Sequence, residues 1–75
     1  MSPEKIQQMI HEVLPGSQVT MSGADCNFSV EVKATQFKGL APIKRHRMVN
    51  EIFKGQFESG ELHALSIKTS VLESN

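Results

Sequence analysis

The sequence predicts an α+β fold: a single α-β-β-α-β domain over residues 1–75, with a three-stranded mixed sheet and both helices on one face. Three observations carry this. An apolar stripe at helical spacing opens the chain, two segments alternate apolar and polar, and a second helical segment lies between those two.

The first element is a helix. Ser2 suits an N-cap and Pro3 the first helical position. Ile6, Met9, Ile10, Val13 and Leu14 then recur at i, i+3, i+4, i+7 and i+8, and Pro15-Gly16 stops the run. Val19 and Met21 mark one side of a short strand, Gln18 to Ser22, ended by the turn signal Ser22-Gly-Ala-Asp25. Phe28, Val30, Val32 and Ala34 alternate with Ser29, Glu31 and Lys33, the pattern of a strand with one wet face. The two strands read as a hairpin.

Gly39 marks a turn and Pro42 opens helix 2, expected to run to Lys54 with Gly55 as its C-terminal cap. Its inward face is expected to hold Ile43, Val49, Ile52 and Phe53. Lys44, Arg47, Glu51 and Lys54 take the outer side. Phe57 anchors a short turn ending at Gly60. Glu61 to Thr69 alternates again, with His63, Leu65 and Ile67 on one face and Leu62, Ala64, Ser66 and Lys68 on the other. Val71 to Asn75 reads as a fraying tail. A helix between strands 2 and 3 permits a parallel pairing, so the sheet is expected to be mixed.

Composition limits the function. A chain of 75 residues buries only about 60–65% of its unfolded surface and has little room for a deep substrate cavity. Hydrophobic residues are 39% and charged residues 21%, which argues for a folded chain. No apolar run reaches the roughly 18–20 residues of a membrane span, and Met1-Ser-Pro-Glu lacks the order of a signal peptide. One cysteine, Cys26, forms no internal disulfide, so a reducing, cytoplasmic setting is expected. The formal net charge is +0, against a bulk nucleic-acid binder. Yet six of the eight basic residues fall between Lys33 and Lys54, around one helix.

That helix carries Lys44, Arg45, His46 and Arg47 in succession. Arginines are good phosphate partners, and a helix after a glycine turn is loosely like a DNA-recognition helix. The plainer reading is a solvated helix face. Four Phe with no Tyr or Trp leave few rings for stacking on bases.

Cys26 sits in the loop Ser22–Phe28. It is either a small residue tolerated in a turn or a soft thiolate ligand. His11 is expected at the surface on helix 1, and His46 at the border of helix 2. His63 opens strand 3, where one ring nitrogen can be held while the other stays free. No CxxC, HxxxH or HExxH occurs, so a self-contained zinc site is not expected. Catalysis has little support: no nucleophile-elbow serine, paired carboxylates or glycine-rich phosphate cradle is present. Cys26 with a histidine is a nucleophile–base combination in principle, with spacing as its only support.

Taken together, Phe37-x-Gly39, Lys44-Arg-His-Arg-x-Val49-Asn50 and His63-Ala-Leu-Ser-Ile67 resemble the BolA family over nearly the whole chain. The loop Ser22–Phe28 resembles the compact YrbA-like (IbaG-like) branch, whereas the Arg-His-Arg-Met-Val-Asn block is nearer to BolA proper. The resemblance implies a fold similar to a class II KH domain. It also implies partnership with a monothiol glutaredoxin, the pair sharing a [2Fe-2S] cluster with glutathione. The family's ligand positions fall on Cys26 and His63. A second implied role is transcriptional regulation, with DNA contacted by Lys44, Arg45, His46 and Arg47. One soft ligand and one histidine are too little for a private metal site and the right number for half of the shared one that the resemblance implies.

The expectation is therefore a non-enzymatic adaptor in iron–sulfur handling or iron and stress signalling, monomeric or weakly dimeric when alone, with no membrane partner. A DNA-binding regulator is the alternative. A purely protein-binding stress or morphology factor is a third.

Overall fold

The computed structural model describes residues 2–24 and 27–73. Its elements are α1 (Pro3–Val13), β1 (Gln18–Ala24), β2 (Asn27–Ala34), a 3-10 turn (Thr35–Phe37), α2 (Pro42–Ile52), α3 (Lys54–Ser59) and β3 (Ala64–Val71). This is the expected α+β order with one extra short helix.

β2 is the central strand. It pairs antiparallel with β1 and parallel with β3. A parallel partner requires a crossover, and the segment through α2 and α3 provides it. Phe28, Val30, Val32 and Ala34 turn inward and are buried. Register places Val19 and Met21 beside Val32 and Val30, and Leu65, Ile67 and Val71 beside Phe28, Val30 and Ala34, so one sheet face is mainly apolar, with Thr69 beside Val32. Ile6, Ile10 and Leu14 from α1, Val49 from α2, and Phe37, Phe53 and Leu62 from the connections complete the core. The other face is open and polar.

α1 starts where Ser2 Oγ accepts a hydrogen bond from the Lys5 backbone N–H, 3.2 Å away, a cap that contributes about 1 kcal/mol. After the helix, His11 Nε2 donates to the Ser17 carbonyl at 3.1 Å, tying the last turn to the start of β1. Among the described residues, the Ser17 hydroxyl is buried with no hydrogen-bond partner. An unsatisfied buried hydroxyl costs about 1–3 kcal/mol. Ser17→Ala is therefore expected to leave the melting temperature unchanged or raise it. Calorimetry showing a fall of several degrees would mean that the hydroxyl has a partner, such as a bound water.

Several sequence expectations need correction. Ile43 does not face inward: it is 62% exposed. It lies six residues before Val49, about 120° around the helix from it. Val13 is 52% exposed, because the buried seam of α1 follows the i, i+4 line Ile6–Ile10–Leu14 and leaves Val13 to its side. Helix 2 does not run to Lys54. It ends at Ile52, Phe53 bends the chain, and α3 begins at Lys54, so Gly55 lies inside a helix rather than capping one. The cap is Gly60 at φ 84°, a left-handed conformation that glycine adopts without the usual cost.

β3 starts at Ala64, not Glu61, and continues to Val71. Leu62 was expected on the wet face but is buried, and its N–H donates to the Gln56 carbonyl at 3.2 Å. The chain thus packs against α3 before joining the sheet. Val71 belongs to the sheet, paired with Ala34, rather than to a fraying tail. β1 extends to Ala24, two residues beyond Ser22, because Gly23 can follow the strand at φ 100° opposite Phe28.

Candidate functional site

The crossover sets where the candidate residues lie. β2 and β3 are parallel and in register, Asn27 beside Ala64, so both begin at one end of the sheet and finish at the other. The crossover leaves Ala34 at the far end and must return to Ala64 at the near end. The start of α2, with its basic block, therefore lies toward the Ala34 end, and His63 lies at the Ala64 end. The basic block and His63 therefore stand toward opposite ends of the sheet.

At the Ala64 end, His63 is exposed in the bend between the buried Leu62 and the first residue of β3. It is outside the strand, so it does not share the inward face of Leu65 and Ile67. Cys26 immediately precedes Asn27 in sequence but lies outside the described residues. Among the described residues, no three His, Cys, Asp or Glu side chains group so as to hold a metal ion. His63 therefore fits an iron–sulfur centre only as one ligand of an incomplete set.

At the Ala34 end, α2 opens with Pro42, and Ala41 provides no side-chain cap. The first turn holds no acidic residue. Lys44 and Arg45 thus add positive charge where the helix dipole is already positive, an arrangement that an anion would relieve. Lys44, His46 and Arg47 are exposed. Arg45 differs: it is half-buried, and its Nε donates to the Leu40 carbonyl at 2.8 Å. That bond ties the helix to the turn before it, where the Leu40 N–H donates to the Phe37 carbonyl. Four consecutive basic residues gave no sign of this, because the partner is a backbone oxygen.

One feature was visible in the sequence only as strand alternation. The open sheet face forms a shallow hollow of about 380 Å³ lined by Thr20, Ser22, Ser29 and Ser66 with Glu31 and Lys68. An ion pair between Lys33 and Glu31, at 4.0 Å, is exposed and contributes little. Among the described residues no helix is long and apolar enough to cross a membrane.

A small α+β domain, with a three-stranded mixed sheet and a basic crossover helix, describes this molecule. The chain belongs to the BolA-like protein family, whose model matches residues 5–73. It is similar to a BolA-like protein of Dictyostelium discoideum, 42% identical over 45 residues, which are 60% of this chain and 40% of that protein. It is also similar to the DNA-binding transcriptional regulator BolA of Vibrio cholerae, 38% identical over 47 residues, 63% of this chain and 43% of that one. The chain thus spans less than half the length of either relative. Among solved structures, a BolA protein homologue from Coxiella burnetii superposes with a TM-score of 0.77 at 31% identity, covering 92% of this chain and 88% of that one.

Proposed function

We propose that this protein is a non-enzymatic adaptor that binds a monothiol glutaredoxin and shares a [2Fe-2S] cluster with it and with glutathione. The reading rests on the register of β2 with β3. Asn27 is beside Ala64, and His63 is exposed just before that end of the sheet; Cys26 is the residue before Asn27 in the sequence. An exposed imidazole and a free thiol are soft and borderline donors suited to iron. Alone they are half a ligand set, and a partner's thiolate with glutathione completes it. The cluster would bring redox and transfer chemistry. This chain's part is to supply two donors, of which His63 stands at the sheet end: packing of Leu62 just before it and pairing of Ala64 just after it fix the backbone that carries the ring. A reducing compartment such as the cytoplasm keeps the thiol available. Visible circular dichroism of the cluster-loaded glutaredoxin, titrated with this protein, tests the reading.

A second reading is favoured by the uncapped, basic start of α2 and by the name of the Vibrio relative. In it the protein is a DNA-binding regulator contacting phosphates through Lys44, His46 and Arg47, with Arg45 holding the helix in place. The two arginines are then expected to behave differently. Arg45→Ala should lower stability by about 1–2 kcal/mol, because it breaks a charge-assisted bond to Leu40. Arg47→Ala should change stability by less than about 0.5 kcal/mol. It should weaken DNA binding and reduce the slope of log K against log salt by about 1. Denaturation curves and salt titrations of both variants separate the roles. Equal effects of the two on DNA binding, with equal stability, would overturn the division.

A further inference from the structure

Little holds helix α3, and it stands directly before the bend that carries His63. It is six residues long, has no side-chain cap at its start, and none of its residues is fully buried. A helix becomes marginally stable by itself only at roughly 12–15 residues, so α3 depends on its surroundings. Gly55 lies inside it, where glycine favours the unwound chain. Phe57 stays half-buried beside a surface hollow of about 470 Å³, lined also by Asn50, Glu51, Lys54 and Glu58.

The residues on either side of α3 are anchored. Phe53 before it is 0% exposed and Leu62 after it is 2% exposed. The Phe57 N–H donates to the Phe53 carbonyl at 3.0 Å, and the Leu62 N–H donates to the Gln56 carbonyl at 3.2 Å. The Ser59 hydroxyl also donates to the Gln56 carbonyl and accepts from the Glu61 N–H, and both of these bonds are exposed. Exposed hydrogen bonds over a segment with little buried apolar surface open far more readily than a core strand. When α3 unwinds, the bond from Leu62 to Gln56 goes with it. The bend then keeps the pairing of Ala64 at one end but loses its tie to the helix. We infer that α3 is a clasp: it opens locally while the sheet stays folded, and its closing fixes the bend that presents His63. The meaning of the clasp for iron rests on the ligand role proposed above for His63.

Two substitutions drive the clasp in opposite directions without adding a contact. A methyl group at Gly55 or at Gly60 meets nothing within 4 Å. Gly55 is not among the glycines of positive φ, so Gly55→Ala restricts the unwound chain and favours closing. Gly60 caps α3 at φ 84°, so Gly60→Ala strains the closed form and favours opening.

The test is amide exchange followed by NMR on the wild-type chain and both variants, at several guanidinium concentrations below the unfolding transition. The Phe57 and Leu62 amides are expected to exchange at least about tenfold faster than those of Val30 and Val32, with almost no dependence on guanidinium, the mark of local opening. Gly55→Ala should slow them about two- to fivefold, and Gly60→Ala should speed them about fivefold or more. A denaturant dependence as steep as that of Val30 overturns the clasp, since α3 would then open only with the whole domain. A Leu62 amide that ignores both variants also overturns it, because the bend would be held without α3. Repeating the exchange with the cluster-loaded glutaredoxin separates this inference from the proposed function. Slower Leu62 exchange in the complex is expected. A changed visible spectrum with Leu62 exchange as in the free protein would overturn the clasp and spare the function. A glutaredoxin that does not respond fails the function alone, and exchange in the free protein then decides the clasp.

Discussion

Titrating a [2Fe-2S]-loaded monothiol glutaredoxin with this protein is expected to change the cluster's visible circular dichroism, whereas His63→Ala and Cys26→Ser should abolish the change. The spectrum reports the asymmetry of the iron ligands, so replacing one of them with a donor from this chain alters it directly. On the proposed reading, losing either of the two donors removes most of the chain's hold on the iron. His63 is exposed, so its removal leaves the core intact and the loss reports on ligation rather than folding. Arg47→Ala serves as the control, because the basic block lies toward the opposite end of the sheet. A change that survives both ligand variants, or one that Arg47→Ala abolishes, would sink the assignment of Cys26 and His63. A glutaredoxin cluster indifferent to the wild-type protein would shift the weight to DNA binding.

Phe37→Ala is expected to produce the largest loss of stability. Phe37 is 0% exposed and sits in the 3-10 turn where the chain leaves β2. Truncating a fully buried Phe costs about 3–5 kcal/mol, through lost transfer energy and the cavity left behind. A domain of this length has about 4–11 kcal/mol in total. The variant should therefore melt more than about 10 °C lower, or be largely unfolded at room temperature. Phe57 is a useful comparison: it lies within α3 and is only half-buried, and Phe57→Ala should cost clearly less. Thermal melts monitored by far-UV circular dichroism measure both. Equal shifts for the two variants would mean that the core does not centre where burial places it.

Most of the architecture was written in local pattern. The capped stripe of α1, the clean alternation of β2 and the proline that opens α2 are each readable from neighbouring residues, because helix and strand periods are local properties. The mixed sheet followed from them, since a helix between two strands allows a parallel pair. The break at Phe53 was not readable. Val49, Ile52 and Phe53 continue a helical pattern, and nothing nearby forbids another turn; burial of Phe53 and docking of Leu62 against α3 decide it. The start of β3 was misread for the same reason. An alternating string does not say which of its residues has a strand beside it, and only pairing with β2 limits β3 to Ala64–Val71.

The site divides in the same way. From the sequence alone came the local concentration of positive charge at Lys44–Arg47, the lone thiol at Cys26, and the shortage of ligands for a private metal site, since composition and spacing are sequence properties. Tertiary structure decided that Arg45 is tied to Leu40 while Lys44, His46 and Arg47 face solvent. It also decided that His63 stands at the sheet end where β2 and β3 both begin, away from the basic block, and that an uncharged strand lies at the sheet's free edge. Those facts depend on which backbone groups meet across long separations in the chain, and no local pattern of residues encodes that.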